Sequence, residues 1–185
     1  MLPGLKTNQV RIIGGQWRSR IVRFPDALSL RPTPDRLRET LFNWLGQDLT
    51  GKTCLDLFAG SGALGFEAAS RGARRVVMVE QNAGVYRALQ ETQSMLGAEQ
   101  IEMHRDDAIR FLRNDERFYD VIFLDPPFGL GWMSRLLPLL PVRLGSDARI
   151  YLEAEEQISM PSGFDVLKHA RAGQVHGLLI KYRQP

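Results

Sequence analysis

The chain has 185 residues, of which 44% are hydrophobic and 24% are charged, a composition typical of a soluble globular protein. This length is sufficient for one domain with a substantial buried core. No apolar run approaches the ~20 residues that cross a bilayer, and no signal-peptide segment opens the chain, so we expect a cytoplasmic protein without a membrane partner. The single cysteine excludes an internal disulfide and a multi-cysteine zinc site. His104, His169 and His176 lack metal-ligand spacing, so we expect no metal.

The positive charge of the chain is concentrated near its amino terminus. Residues 1–40 contain eight Lys or Arg and three Asp or Glu, a net charge of +5, whereas the remaining residues carry −2. A basic segment on a near-neutral body is typical of proteins that contact phosphate groups, and a solubilising tail is the alternative. Trp17 can stack on a base or fill the packed face of a hairpin. The candidate RNA contacts in this segment are Arg11, Trp17, Arg18, Arg20, Arg23 and Arg31.

The first predicted element is a β-hairpin. Alternating apolar and polar residues over 10–13 and 16–24 flank Gly14-Gly15, which predicts two strands with a turn at the glycines. Arg18 and Arg20 would then lie on one face of the second strand, because alternate residues of a strand do.

A helix is predicted after a proline-punctuated connector at residues 25–34. Thr33 is the expected N-cap, and the proline that follows it suits the first helical turn. Leucines then recur at helical spacing until Gly46 ends the run. Arg36 and Glu39 lie on a polar stripe of this helix.

From residue 53 onward, strand and helix patterns alternate. The predicted strands are 53–58, 75–80, 101–105, 120–124 and 148–153, and the predicted helices between them are 63–70, 85–96 and 108–113. Such alternation implies right-handed βαβ units and a parallel sheet. Two further runs, 165–169 and 177–182, predict a closing antiparallel hairpin. We therefore divide the chain into an amino-terminal arm, hairpin and connector at 1–33 and an α/β domain at 34–185.

The segment Asp56–Gly62 is an apolar strand that runs into a glycine-rich turn. Gly60–Gly65 matches the pattern GxGxxG, and Glu80 lies at the spacing where an acidic residue meets a ribose hydroxyl. Glycine is needed where the backbone approaches a cofactor or where φ becomes positive. The pattern fits either NAD or S-adenosylmethionine, and a purely structural tight turn also produces it.

Two residues of this segment favour S-adenosylmethionine. Asp56 places a carboxylate where the ammonium group of a methionine moiety can pair with it. Bulky Phe58 precedes the first glycine, whereas a diphosphate binds main-chain N–H groups at a helix N-terminus that no large side chain obstructs. Asp107 is a candidate acceptor for the adenine amine, with Asp106 as its competitor, and either can instead cap the next helix. The candidate cofactor contacts in these segments are Asp56, Phe58, Ala59, Gly60, Gly62, Glu80 and Asp107.

A second informative segment, Asp125–Phe128, follows the fourth predicted strand of the sheet. Its two prolines give a rigid loop, in which the Asp125 carboxylate and the Pro126 carbonyl can accept both hydrogens of an exocyclic amine. Phe128 can stack on the plane of a base that has left its stack. A packed loop without a catalytic role is the alternative. The candidate catalytic residues are Asp125, Pro126, Pro127 and Phe128.

Other polar residues are weaker candidates. Cys54 lies in an apolar strand and is expected in the core, which argues against methylation of a ring carbon through a covalent thiolate. Glu153, Glu155 and Glu156 end the fifth strand and are expected to be solvated, although one of them can line the cleft.

These motifs resemble those of a known superfamily. Asp56–Glu67 resembles motif I of class I S-adenosylmethionine-dependent methyltransferases, and Asp125–Phe128 resembles their amino-methylating motif IV. Over nearly the whole chain, the sequence is similar to bacterial 16S ribosomal RNA guanine-N2 methyltransferases of the RsmD type. The segments that carry this narrower resemblance are 11–18, 31–33, 36–45 and 172–175.

The resemblance implies a Rossmann-like, three-layer αβα fold with a seven-stranded, mostly parallel sheet. It also implies S-adenosylmethionine as the cofactor and methylation of a guanine N2 amine in the 16S rRNA of a small ribosomal subunit or its assembly intermediate. Carried over by position, Asp125 and Phe128 would serve the base, and Asp107 would hold the adenine. Arg36 and Glu39 would cover the methionine end of the cofactor.

Alternative functions remain open from the sequence. A dinucleotide-binding module or small oxidoreductase would also need the glycine-rich turn. DNA adenine-N6 and protein glutamine methyltransferases would use a similar proline loop, but DNA enzymes usually add a recognition domain, for which 185 residues leave no room. We expect the protein to act as a monomer.

Overall fold

The computed structural model describes residues 7–25, 33–127, 131–156 and 158–183. In chain order the strands are β1 (Thr7–Arg11), β2 (Ile21–Pro25), β3 (Thr53–Asp56), β4 (Arg75–Val79), β5 (Ile101–His104), β6 (Tyr119–Leu124), β7 (Leu144–Ala154), β8 (Phe164–Ala172) and β9 (Val175–Tyr182). The helices are α1 (Asp35–Trp44), α2 (Ala63–Ser70), α3 (Ala83–Leu96), α4 (Ala108–Asn114) and α5 (Trp132–Leu136). Among the predicted site residues, Arg31 and Phe128 lie outside the described ranges.

The central sheet has seven strands in the order β5-β4-β3-β6-β7-β9-β8. The strands from β5 to β7 pair in parallel, and β9 and β8 add an antiparallel hairpin at one edge. One hydrophobic cluster joins α1, α2 and α3 to one face of the sheet, and a second joins α4 and α5 to the other face. The predicted three-layer α/β architecture with a closing hairpin is confirmed. No helix in the described ranges is long and apolar enough to cross a membrane.

The strands at the centre of the sheet are apolar because helices cover both of their faces. Every residue of β3 is buried, and Cys54 has no exposed surface, so its expected place in the core is confirmed. Alternate residues of these strands belong to opposite clusters. Cys54 and Phe123 face α1, α2 and α3, whereas Leu55 and Leu124 face α4 and α5.

The amino-terminal hairpin forms, but its turn is not at Gly14-Gly15 as predicted. β1 pairs with β2 from Thr7↔Pro25 to Arg11↔Ile21, and residues 12–20 form a longer connection. Arg18 therefore lies in a turn, and the expected shared strand face with Arg20 does not exist.

The hairpin connection departs from a tight turn because it docks on the end of α2. The main-chain N–H groups of Gln16 and Trp17 donate to the carbonyl and the hydroxyl oxygen of Ser70, at 2.8 and 2.9 Å. The Ser70 hydroxyl in turn donates to the Gly14 carbonyl at 2.6 Å. Gly15 is required here, since a Cβ at this position would lie 1.9 Å from the Ser70 carbonyl oxygen.

A buried carboxylate fixes the hairpin connection to two helices. Glu67 on α2 accepts hydrogen bonds from the main-chain N–H groups of Ile13 and Gly14, both at 2.8 Å. Its charge is balanced by Arg38 of α1 at 3.7 Å and by Arg71 at 2.8 Å. Neither Glu67 nor Arg38 has exposed side-chain surface.

The hairpin also shares the hydrophobic cluster of α1, α2 and α3. Val10, Ile12, Val22 and Phe24 are 1–5% exposed and belong to that cluster. The division of the chain at residue 33 stays a prediction. The described residues of its first part pack into the same hydrophobic core as the second part.

The start of α1 differs from the prediction. Pro34, which has no side chain able to cap, occupies the N-cap position, so the assignment of Thr33 as N-cap was wrong. Thr33 is 3% exposed, and its hydroxyl is directed instead toward Asp125. The extended conformation imposed on a residue before proline accounts for the displacement of Thr33 from the helix.

We expect Gly15→Ala to destabilise the protein more than Gly173→Ala. Both glycines have positive φ, +75° and +62°, so each alanine carries a left-handed backbone cost of about 1–2 kcal/mol. The alanine at 15 must also displace the hairpin connection from Ser70, whereas nothing lies within 4 Å of a Cβ at 173. Urea denaturation should therefore show a further loss of ~1–3 kcal/mol for Gly15→Ala. Equal losses would contradict the docking of this connection on α2.

Candidate active site

The candidate site lies at the carboxyl edge of the parallel strands, where the direction of strand order reverses. β3 leads to β4 and β5 on one side, while β6 and β7 lie on its other side. Ligands in open α/β sheets bind outside the strand ends at this switch point. Asp56 ends β3, Glu80 follows β4 and Asp125 follows β6, so the fold brings the two predicted motifs together.

The glycine-rich turn after β3 has the backbone that its sequence predicts. Gly60 and Gly62 have φ of +47° and +79°, and Gly62 is the N-cap of α2. A Cβ at Gly62 would lie 2.5 Å from the Phe66 ring. Glu80 holds the turn, accepting from the N–H of Gly60 at 3.0 Å and from that of Asn82 at 2.7 Å. Its contact with a ribose stays a prediction.

Asp56 is a buried carboxylate with one oxygen that lacks a partner. Oδ2 accepts from the Gly65 N–H at 2.9 Å, whereas Oδ1 is buried and forms no hydrogen bond of ordinary geometry within the described part of the chain. Burial raises the pKa of Asp56 to about 7; backbone hydrogen bonds from Gly65 and Phe58 oppose the shift, and the Glu80 and Glu153 carboxylates add to it. A buried carboxylate with unused lone pairs is suited to a cationic ligand group such as an ammonium.

Asp125 stands at the start of the proline loop. Pro126 is buried and Pro127 is exposed. The described part of this loop ends at Pro127. Oδ2 of Asp125 accepts a hydrogen bond from the Thr33 hydroxyl at 3.4 Å. Burial raises the pKa of Asp125 well above its usual value, and the carboxylates of Glu153 and Asp56 raise it further.

Thr33 and Tyr151 also belong to the site, and sequence reasoning did not place them there. Glu153 belongs to it as well, in agreement with the alternative that one of the three glutamates after the fifth strand lines the cleft. Glu153 is 3% exposed and accepts from the Tyr151 hydroxyl at 2.9 Å, so its expected solvation was wrong. The reason is that β7 runs on to Ala154, so that Glu153 lies in the sheet opposite Gly177 of β9. The alternation Tyr151-x-Glu153 indicates that the two side chains share one face of a strand. It indicates burial only once the order of the strands in the sheet is known.

Asp107 caps α4, as the alternative interpretation proposed. Its Oδ1 accepts from the N–H groups of Ile109 and Arg110, both at 3.0 Å. Asp106 accepts from the N–H of Asp107 at 2.7 Å and pairs with the Arg110 guanidinium. A cleft of about 580 Å³ beside this cap is lined by Asp107, Ile109, Arg110, Arg113, Asn114 and Arg135. Contact of either aspartate with an adenine stays a prediction.

The remaining predicted cofactor residues occupy different settings. Arg36 and Glu39 are exposed on α1. Phe58 packs edge-on against the Trp132 ring of α5, with the ring centroids 5.1 Å apart. This contact holds the turn after β3 against α5. Ala59 is 5% exposed and donates its N–H to the Val79 carbonyl at 2.9 Å.

Five of the six predicted RNA contacts lie in the described part of the chain, and Arg31 lies outside it. Arg11, Arg18, Arg20 and Arg23 are exposed, whereas Trp17 is partly buried against the core of the protein. Arg18 and Arg20 lie in the connection docked on the carboxyl end of α2. Because α2 runs back from the turn after β3, this end is at the edge of the sheet opposite the candidate site.

Comparison with known proteins shows the family. A family model described as conserved hypothetical protein 95 matches residues 10–181. The ribosomal RNA small subunit methyltransferase D of Escherichia coli strain K12 is 40% identical over 174 residues, which are 91% of this chain and 88% of that protein. The chain belongs to this family.

Solved structures agree with this assignment. The structure of yhhF from Escherichia coli is 38% identical, with a TM-score of 0.87 over 96% of this chain and 100% of that one. A Thermus thermophilus 16S rRNA N2 G1207 methyltransferase, in complex with AdoMet and guanosine, has a TM-score of 0.72 at 24% identity. It covers 99% of this chain and 52% of that one, and at this identity it shows the fold alone.

The family fixes the class of chemistry. The protein is a methyltransferase with the class I fold, and the expectation of S-adenosylmethionine as its cofactor is confirmed at the level of the family. The site suits this group, because the orphaned Oδ1 of Asp56 can accept from its ammonium.

We expect Asp56→Asn to stabilise the unliganded protein at pH 8. An unfolded aspartate titrates near pH ~4, so the folded protein loses stability as the pH rises from there through about 7. Asparagine removes the buried charge and should raise the free energy of unfolding by about 1–2 kcal/mol at pH 8, with no gain at pH ~4. Urea denaturation at both pH values measures this difference. Asp165→Asn, at an exposed aspartate, is the control, and a gain independent of pH would contradict the interpretation.

Proposed function

We propose that this protein transfers a methyl group from S-adenosylmethionine to the exocyclic N2 amine of a guanine in 16S rRNA. The observation that carries the proposal is the position of Asp125. Its carboxylate and two prolines follow β6 directly beside Asp56 at the switch point of the sheet. The name of the Escherichia coli relative, a ribosomal RNA small subunit methyltransferase, supports the substrate.

The cofactor would be held along the ends of β3, β4 and β5. Asp56 pairs with its ammonium group, and Gly60 and Gly62 let the backbone approach it. Glu80 accepts from the ribose hydroxyls with the lone pairs that its two main-chain bonds leave free. Oδ2 of Asp107, which forms no described bond to α4, accepts from the adenine amine. Phe58 and Ala59 line the wall of this site, and Arg36 and Glu39 of α1 cover its methionine end.

The chemistry of the target amine explains the proline loop. The lone pair of a guanine amine is delocalised into the ring, which makes it a poor nucleophile. The Asp125 carboxylate and the Pro126 carbonyl accept its two hydrogens and direct the lone pair toward the methyl group, while Pro127 keeps the loop rigid and Phe128 stacks on the base. Catalysis then comes from positioning and electrostatics, without a covalent intermediate or a metal. The cofactor supplies an electrophilic methyl group.

The RNA surface extends beyond the catalytic edge. Arg23 of β2 belongs to this surface, and we include Arg31 because it precedes Thr33 by two positions in the sequence. Arg11 on β1 and Trp17, Arg18 and Arg20 in the hairpin connection extend it toward the opposite edge of the sheet. A small ribosomal subunit or its assembly intermediate is large enough to contact both edges. The protein acts on it as a monomer in the cytoplasm.

The direct test is to incubate the protein with labelled S-adenosylmethionine and small subunits that lack the modification. We expect one labelled guanine, with the label on N2, when the RNA is digested and mapped. Asp125→Ala should lower kcat at least ~100-fold while leaving cofactor affinity unchanged by calorimetry. Asp165→Ala is the surface control. Tight binding of NAD without binding of S-adenosylmethionine would favour a dinucleotide-dependent enzyme and overturn the proposal.

The arginines of the hairpin connection should act on RNA affinity alone. We expect Arg18→Glu with Arg20→Glu to raise KM for the subunit and to leave kcat unchanged, because these residues lie far from Asp125. The slope of log affinity against log salt should fall by ~1.4 or more, since two phosphate contacts are lost. Arg183→Glu, just after the end of β9, is a single charge reversal that serves as the control. Equal slopes for the two variants would mean that the connection does not contact RNA.

A further inference from the structure

The tip of the β8–β9 hairpin, residues 169–176, lies at the same edge of the sheet as the candidate site. β9 runs antiparallel to β7, so β9 begins, and β8 ends, where the parallel strands end. His176 of β9 lies opposite Ala154, the last residue of β7. Adjacent strands are ~4.8 Å apart, so β9 and β8 lie on the order of 10 and 15 Å from the end of β6, which Asp125 follows. The tip is therefore within reach of the nucleotides that flank a base bound at Asp125.

The two faces of this tip differ in what covers them. Ala170 and Ala172 pack against the hydrophobic cluster that joins α1 to the sheet, and α1 itself lies against β8. His169 and Arg171 alternate with these alanines and point to the other face, where both are exposed. His176 lies directly opposite Arg171 on the neighbouring strand and shares its face. An exposed polar face thus adjoins the catalytic edge of the sheet.

Hydrogen bonds within the tip hold these polar side chains in place. Nε2 of His169 and Nδ1 of His176 are hydrogen-bonded across the two strands at 2.9 Å. Their rings are parallel to within 2°, with the centroids 5.2 Å apart. Nε of Arg171 donates to the Gly173 carbonyl at 2.8 Å, which attaches the guanidinium to the turn. Side chains that are ordered before binding lose less conformational entropy when a ligand arrives.

The charge of this part of the chain is positive. Asp165 is the last acidic residue, and residues 166–185 contain four Lys or Arg, a net charge of +4. Two of these cations are paired, Lys181 with Asp147 at 3.0 Å and Arg183 with Asp165 at 3.2 Å. Arg171 forms no ion pair within the described part of the chain, so its charge is available to an anion.

We propose that the tip binds the RNA strand that flanks the target guanine, with Arg171 on a phosphate and His169 stacked on an unpaired base. The inference rests on the proposed function. A base that is methylated must leave its stack, so its neighbours in the strand need contacts of their own. A guanidinium binds phosphate through a planar fork of donors, and imidazole rings stack on unpaired bases. Exposed Glu155 and Glu156 follow β7 and repel phosphate, which favours a contact at the tip itself.

Removal of one charge at each end of the hairpin tests the phosphate contact. Arg171→Met should raise KM for small subunits ~5-fold or more at ~0.15 M salt. The slope of log affinity against log salt should fall by ~0.7, since one phosphate contact is lost. Arg183→Met removes the same charge just after the end of β9 and should change neither quantity. Filter binding of small subunits that lack the modification measures the slopes, and equal slopes for the two variants would overturn the inference.

Arg171→Lys separates the phosphate contact from the bond to the turn. Lysine keeps the positive charge but lacks the Nε that donates to Gly173. We therefore expect the wild-type salt slope and a KM within ~3-fold of the wild-type value. A lysine variant that behaves like Arg171→Met would assign Arg171 to the structure of the turn and contradict the contact. Unfolding curves confirm that each variant is folded.

His169→Ala tests the stacked base. We expect KM for small subunits to rise ~3-fold or more because a stacking ring is lost, and the salt slope to stay unchanged because no phosphate contact is lost. His169→Phe keeps an aromatic ring without the hydrogen bond to His176 and should restore most of the affinity. An unchanged KM for the alanine variant, or an equal rise for both variants, would overturn the role of His169.

The possible outcomes separate this inference from the proposed function. If the wild-type protein methylates no guanine of small subunits, the proposed function fails. If it methylates a guanine, but Arg171→Met keeps the wild-type KM and salt slope, only the inference about the tip is overturned.

Discussion

The buried ion pair between Arg38 of α1 and Glu67 of α2 is the interaction on which the placement of the site depends. Such a pair is tolerated inside a protein only when further hydrogen bonds satisfy it, and removing one partner typically costs ~3–5 kcal/mol. Here the main-chain N–H groups of the hairpin connection supply those bonds to Glu67. Because α1 begins two residues after Thr33, its attachment to α2 also sets the point from which Thr33 reaches Asp125.

Three acidic groups gathered at one edge of the sheet supply reactive carboxylates but lower the free energy of unfolding. Asp56, Asp125 and Glu153 come from three neighbouring strands and point to the same face. Burial raises the pKa of all three, which means that each ionised form weakens the folded state. Sites of this kind are where proteins accept local strain that packing elsewhere must offset.

The order of strands and helices and both motifs of the site could be predicted from the sequence, because apolar periodicity, glycine and proline act locally. The role of Glu153 could not, since its burial follows from β7 lying between β6 and β9, a pairing across distant parts of the chain. The same holds for the partner of the Thr33 hydroxyl, a carboxylate 92 residues away in the chain. The prediction of a tight hairpin turn at Gly14-Gly15 was wrong because Ser70 and Glu67 offer the main-chain groups of this segment other partners.

The acidic groups at this edge of the sheet also affect how the enzyme distinguishes S-adenosylmethionine from S-adenosylhomocysteine. The methyl donor carries a sulfonium charge that is lost on transfer, whereas its ammonium and carboxylate groups are present before and after. Attraction between opposite charges is stronger in a buried site than in water, so ionised carboxylates beside Asp56 favour the sulfonium form over the uncharged thioether. On the proposed chemistry, this asymmetry limits product inhibition and makes departure of the demethylated cofactor easier than that of the donor.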